Sequence, residues 1–166
     1  MTARSTTTGD LARTAIGLLI ARGETIASAE SLTGGLVAAA LTSVPGASAA
    51  FRGGVVAYAT DLKAAVLGVP DDLLKRRGAV DGAVAEAMAE GARTRMWTTV
   101  GVATTGVAGP DPAEGKPVGT VFVAVAGPAR TTSRQLALAG TRDAIRTATV
   151  ESVLALLIAT MGEEDR

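Results

Sequence analysis

Nearly half of this chain is apolar, yet one Trp, one Tyr and two Phe supply all of its aromatic rings. Such a core must be filled by Ala, Val, Leu and Ile, and small side chains fill space only where helices and strands approach closely. The 20 Gly residues fall mostly between periodic segments, where tight turns and close backbone contacts need them. At 166 residues the chain has the size of one domain. That domain is expected over residues 10–161, with residues 1–9 and 162–166 as flexible ends.

Leu11, Ala15, Leu18 and Leu19 recur at helical spacing after Asp10, which reads as the cap of a first helix ending at Gly23. Residues 25–29 read as a short strand, and 36–44 as a helix apolar nearly all round and therefore buried. Residues 51–58 form a strand in which Gly53-Gly54 marks a bulge or a close approach. Short helices follow at 61–67 and 71–77, the second ending in Lys75-Arg76-Arg77, cations suited to a helix C-terminus. Asp81 caps a long helix to about Arg95, and residues 97–104 read as a strand covered on both faces. Residues 118–126 and 134–139 are further strands, and 141–161 a closing helix with Ile145, Thr149, Ser152, Leu156 and Thr160 near one face. This interleaving specifies an α/β fold, a single three-layer α/β/α sandwich around a central mostly parallel or mixed sheet. Ligands then belong at the carboxyl ends of the strands.

Charge and side-chain inventory narrow the chemistry. Sixteen basic and sixteen acidic residues cancel, so the chain lacks the electrostatic footprint of a nucleic-acid binder. It has no Cys and no His, which removes thiolate catalysis, the commonest general base and the commonest transition-metal ligand. Hydrolysis here must rely on Lys, Tyr, Asp or Glu. The apolar runs at 15–21 and 153–159 are far short of the ~20 residues that span a bilayer. Ala27-Ser28-Ala29 has the small-x-small form of a signal cleavage site, but the apolar run before it is too short. A cytoplasmic protein without membrane contact is expected.

Three segments carry candidate chemistry. In Ala29-Glu30-Ser31-Leu32-Thr33-Gly34-Gly35 a strand turns into a helix, a geometry that lifts Ser31 off the sheet and aims free N–H groups at one point. The same residues also read as an ordinary helix cap. Lys63 follows the strand ending at Tyr58; withdrawn from water it becomes a base for a serine, whereas left in water it is a plain surface lysine. Tyr58 equally serves as a packed ring with a hydrogen-bonded tip. Thr105-Gly106 opens a Gly/Pro loop suited to a ribose or a phosphate, or to turn chemistry alone, and Arg142 suits a phosphate or a nearby acid. A carboxylate-bound metal hydrolase would have to use Glu30, Asp61 and Asp111, which sit on separate loops with no ligand spacing.

Taken in order, several segments form a set seen in one family. They are Ala29-Glu30-Ser31-x-Thr33-Gly34-Gly35, Val44-Pro45-Gly46-Ala47-Ser48, Gly54-Val55-Val56-x-Tyr58, Lys63-x-x-x-Leu67-Gly68-Val69, Gly78-Ala79-Val80, Ala87-Met88-Ala89-x-Gly91-Ala92, Thr105-Gly106-x-Ala108-Gly109-Pro110, Lys116-Pro117-Val118-Gly119-Thr120-Val121 and the Arg142 helix. The chain resembles the CinA C-terminal domain family, the nicotinamide mononucleotide deamidases. Leu32 stands where many members have Cys, and Asp81 where many have Ser. Larger CinA proteins also carry an amino-terminal domain that this sequence does not contain. The resemblance implies an amidohydrolase that converts nicotinamide mononucleotide and water to nicotinate mononucleotide and ammonia in pyridine nucleotide salvage, needing no metal and no cofactor. It implies Ser31 as nucleophile, Lys63 and Tyr58 in proton transfer, and Glu30, Thr33, Gly34, Gly35, Thr105, Gly106 and Arg142 in oxyanion and substrate contacts. Whether the base is Lys63, Tyr58 or Glu30 stays open at this stage. A homodimer is expected, and a catalytically idle nucleotide-binding module is the alternative.

Overall fold

The computed structural model describes residues 6–164. The first helix, α1 (Thr8–Arg22), is capped by Thr7 rather than Asp10. The Thr7 hydroxyl accepts from the Asp10 N–H and the Asp10 carboxylate accepts from the Thr7 N–H, so Asp10 is the third helical residue of a capping box. Helix therefore begins inside the segment expected to be a flexible end. The last helix, α6 (Arg142–Glu164), likewise runs past residue 161; residues 1–5 and 165–166 lie outside the described residues.

Five strands, β1 (Ile26–Glu30), β2 (Phe51–Val56), β3 (Val100–Gly106), β4 (Thr120–Ala126) and β5 (Thr131–Ala137), form one sheet in the order β2-β1-β3-β4-β5. β1 runs parallel to β2 and β3, and β4 and β5 continue antiparallel, so the sheet is mixed. The remaining helices are α2 (Leu36–Thr42), α3 (Thr60–Leu67), α4 (Asp71–Arg77) and α5 (Gly82–Arg95). Alternation along the strands builds two different cores. Ile26, Val100, Val102, Val121, Val123 and Val125 pack with α1, α2 and α6, while Ala27, Ala29, Ala103, Ala124 and Ala126 face α5, α3 and α4.

The alanine face explains how a chain without large rings closes its core. With only methyl groups between them, α5 and the sheet come nearly into backbone contact. A Cβ on Gly101 of β3 would stand 2.0 Å from the carbonyl oxygen of Ala89, and, where α5 meets α3, one on Gly91 would stand 2.1 Å from that of Leu67. Gly54 marks a close approach too, since its Cβ would meet Ser28 Oγ at 2.3 Å, and the β1–β2 register shifts beside it between Ile26 and Ala27.

Several elements depart from the sequence reading. Helix α2 stops at Thr42 and is buried only at Val37 and Leu41, because it covers the β1–β2 edge of the sheet, where β2 is the outermost strand. Trp97 is not in a strand: it sits in the turn after α5 with φ 51° and 81 % exposed, and β3 begins at Val100. β5 is displaced towards the N-terminus, to Thr131–Ala137. Helix α6 is long and apolar enough to cross a membrane by length and composition, although its unbroken apolar runs are short; half of that window is buried in this fold. Its buried Thr149 and Thr160 hydroxyls donate to the carbonyls of Ile145 and Leu156, so the core face carries no orphaned hydroxyl there.

A Gly101→Ala substitution is expected to lower unfolding free energy by about 3 kcal/mol, because backbone rather than a pliable side chain opposes the methyl group. Gly17→Ala, on an open face of α1, should instead add up to about 1 kcal/mol. Urea unfolding of the two variants checks both, and a neutral Gly101→Ala would contradict the close packing of α5 on β3.

Candidate active site

The carboxyl ends of β1 and β3 are joined one residue beyond β1, where the Ser31 N–H donates to the Thr104 carbonyl at 3.0 Å. The chain then turns through Gly34 (φ 55°) and Gly35 (φ 104°), values that favour glycine, into α2. Gly35 offers α2 no side-chain cap; the end of β1 supplies one instead. One Glu30 oxygen accepts from the Val37 N–H at 2.8 Å and from the Thr33 hydroxyl at 2.7 Å, and the other accepts from the Ala38 N–H at 3.1 Å. Thr33 Oγ1 also lies 2.8 Å from Thr104 Oγ1. A carboxylate at a helix N-terminus satisfies donors that would otherwise be buried and meets the positive end of the dipole.

This network shows where four of the expected site residues stand. Glu30 is buried under the loop with both oxygens hydrogen-bonded to α2 and Thr33, and it does not line the cavity described next. The Thr33 hydroxyl is committed to the same network, while the Thr33 N–H donates to nothing among the described residues. Gly34 and Gly35 bend the chain into α2 and do not line the cavity described next.

The other expected residues gather at the carboxyl edge of the sheet, between α3 and the start of α6. Ser31, Tyr58, Lys63, Thr105, Gly106 and Arg142 line one cavity of about 180 Å³, with Leu32, Thr60, Ala79, Val80, Ala108 and Glu114. Lys63 comes from α3, whose start just after β2 turns its side chain back under the strand ends. The Lys63 Nζ lies 3.1 Å from Ser31 Oγ, 2.8 Å from the Ala57 carbonyl and 3.3 Å from the Tyr58 carbonyl. The side chain is 1 % exposed, the largest fully buried one in the described chain, and no carboxylate is hydrogen-bonded to it. Burial holds the ammonium well below its ordinary pKa of 10.5, while the Glu114 carboxylate opposes that shift.

The cavity wall is organised from the loop after β3. Glu114 accepts from the N–H groups of Ala79 and Val80, each at 3.0 Å, and the Ala79 carbonyl accepts from the Thr105 hydroxyl at 2.7 Å. Gly106 is a packing requirement, since a Cβ there would meet Val121 at 2.7 Å. Tyr58 and Arg142 form the mouth. Arg142 donates to the Tyr58 hydroxyl at 2.9 Å and to the Gly109 carbonyl, both neutral partners rather than a nearby acid. Tyr58 is 58 % exposed and touches Lys63 through its carbonyl only, so a relay from Lys63 through the phenol has no contact to run along.

Two residues escaped the sequence reading. Glu114 sits in a Gly/Pro loop with no local pattern to single it out. Arg146 lies one turn after Arg142 on the same side of α6, and donates from Nε to the Leu32 carbonyl at 3.0 Å and from Nη2 to the Thr33 carbonyl at 3.3 Å. Its i,i+4 spacing from Arg142 was the available signal. A larger groove of about 430 Å³ between Thr42 and Phe51 carries no ionisable side chain, whereas Tyr58, Lys63, Glu114 and Arg142 line the smaller cavity. Among the described residues no three of His, Cys, Asp and Glu converge as metal ligands would.

Glu30→Ala is expected to cost about 3 kcal/mol by stranding a helix terminus and a buried hydroxyl, and Glu30→Gln about half as much, in thermal and urea unfolding. A Glu30→Ala variant as stable as the parent would contradict the capping role.

Known proteins share both the sequence and the fold of this chain. Residues 8–161 match the family described as the CinA C-terminal domain. A CinA-like protein of Frankia casuarinae is 56 % identical over 142 residues, covering 86 % of this chain and 33 % of that protein. One from an Anaeromyxobacter species is 52 % identical over 143 residues, covering 86 % and 35 %. The chain thus spans about a third of the length of these curated relatives. Among solved structures, a CinA superfamily protein of Klebsiella pneumoniae superposes with a TM-score of 0.92 at 31 % identity, over 95 % of this chain and 99 % of that one. A competence/damage inducible protein of Agrobacterium tumefaciens gives 0.89 at 38 % identity, over 96 % and 98 %. With a family match over nearly the whole described chain and a shared fold at these identities, this chain belongs to the CinA C-terminal domain family.

Proposed function

We propose that this chain is a serine amidohydrolase that releases ammonia from nicotinamide mononucleotide. The observation that carries the reading is the 3.1 Å approach of the buried Lys63 Nζ to Ser31 Oγ inside the cavity. A lysine kept from water yields its proton at lower pH, and in the neutral form its lone pair accepts the serine proton. In a chain without His this is the base within reach of Ser31.

In the proposed reaction the Ser31 proton passes to Lys63 as Oγ bonds to the carboxamide carbon and the carbonyl pair moves onto oxygen. Collapse breaks the C–N bond; the nitrogen takes the proton from Lys63 and leaves as ammonia. Water then attacks the ester, giving its proton to Lys63, and the C–Oγ bond breaks to return the serine and release the acid. A cavity of about 180 Å³ is below the size that encloses a whole mononucleotide-sized ligand. We place the pyridine carboxamide inside, with the ribose and phosphate at the mouth, where the Arg142 guanidinium would trade its neutral partners for an anion. Binding energy gathered there orients the amide against Ser31.

Ser31→Ala should abolish ammonia release while the nucleotide still binds, measured by a coupled ammonia assay and by calorimetry. Full turnover by that variant would remove Ser31 from the chemistry, and binding without turnover in the parent would mark an idle nucleotide-binding module.

Lys63 also fixes two pH dependences. It must be neutral to act, so kcat/KM should rise with pH through a single acid limb lying below 10.5. Because its folded pKa is lowered, the unfolded chain binds more protons between the folded value and 10.5. The parent's stability should therefore increase with pH across that window relative to Lys63→Met, with the full penalty present below it. A stability difference independent of pH would show that Lys63 carries no burial penalty.

A further inference from the structure

We infer that Arg146 is a positioning residue that acts through the backbone, charging the two N–H groups that follow Ser31 as donors to a developing oxyanion; this rests on the serine-nucleophile reading. The N–H of Ser31 itself is unavailable, because the Thr104 carbonyl already takes it at 3.0 Å. Among the described residues the N–H groups of Leu32 and Thr33 donate to nothing.

Each of these free donors ends a hydrogen-bond chain that starts at the guanidinium. Arg146 Nε donates to the Leu32 carbonyl at 3.0 Å, and that carbonyl shares its peptide unit with the Thr33 N–H. Arg146 Nη2 donates to the Thr33 carbonyl at 3.3 Å, whose peptide unit ends in the Gly34 N–H. The Gly34 N–H donates in turn to the Ser31 carbonyl at 3.1 Å, and that peptide unit ends in the Leu32 N–H. A cation bonded to the carbonyl end of a peptide draws density from its N–H end, and successive peptides reinforce one another. The same bonds fix the loop, so the donors are oriented before any charge appears. The nearest carboxylate, Asp143, lies 3.6 Å from Arg146 Nη1 and is 91 % exposed, so it neutralises the guanidinium only weakly.

The test compares the parent with Arg146→Gln, which loses the charge, Arg146→Lys, which keeps it, and Asp143→Asn. Ammonia release from nicotinamide mononucleotide gives kcat, KM and the acid limb; phenylmethanesulfonyl fluoride labelling of Ser31, followed by intact mass, reads the serine independently. Arg146→Gln should lower kcat about tenfold or more with KM within about threefold and the acid limb unmoved. Arg146→Lys should recover much of the loss, and Asp143→Asn should match the parent. Thermal unfolding identifies a variant that has lost its fold, in which case Arg146→Lys decides. An Arg146→Gln kcat within twofold of the parent overturns the inference, as does a loss in which KM and the acid limb shift with kcat. A parent that labels at Ser31 but releases no ammonia sinks the deamidase reading alone, and the same ranking is then read from labelling rates. A parent that does neither overturns both.

Discussion

Everything at the cavity depends on one buried amine. Lys63 is 1 % exposed, held by the carbonyls of Ala57 and Tyr58, and set against Ser31. Two carbonyl dipoles and a hydroxyl are a poor substitute for water around a full charge, so the environment favours the neutral amine. Glu114 works against this from the far wall while its oxygens hold the Ala79 and Val80 amides. The protonation state of Lys63 is thus a balance between a dry pocket and one carboxylate that is itself structurally occupied.

The sheet divides the labour at its carboxyl edge by simple alternation. Glu30, Thr33 and Thr104 meet on the α2 side and spend every hydroxyl and carboxylate oxygen on the loop and on the helix terminus. Ser31 and Thr105 fall on the other side, towards α3 and the 79–80 segment. Neighbouring residues therefore have unrelated tasks, one set building the turn and the other facing the cavity. The same alternation places Val and Ile on one face of the sheet and Ala on the other, and the alanine face lets α5 settle against β3 at backbone distance.

That division also sets what could be read from the sequence. The layered fold and most elements were legible because period and capping signals are local: Asp81 caps α5 through the Ala83 N–H, and Lys75, Arg76 and Arg77 close α4 as expected. The gathering of positions 31, 58, 63, 105, 106 and 142 followed from their placement at strand ends and from the family resemblance. What sequence could not apportion was which side of the sheet each residue of Glu30-Ser31-Leu32-Thr33 would serve, since a slip of one position exchanges the two faces. Nor could it find Glu114, whose partners are backbone groups more than thirty residues away and leave no pattern in side-chain type, whereas Arg146 was marked only by its spacing from Arg142. The Asp10 reading failed for a smaller reason: Thr7 three residues earlier makes the reciprocal cap with it.

The most direct measurement is the titration of the Lys63 side chain followed by NMR in lysine-labelled protein, with Lys63→Arg assigning the resonance. A midpoint below 10.5 that falls further in Glu114→Gln is the result this account requires, because burial lowers it and the carboxylate resists. A midpoint at or above 10.5 would mean that the amine stays charged beside Ser31, and the dyad would have no base.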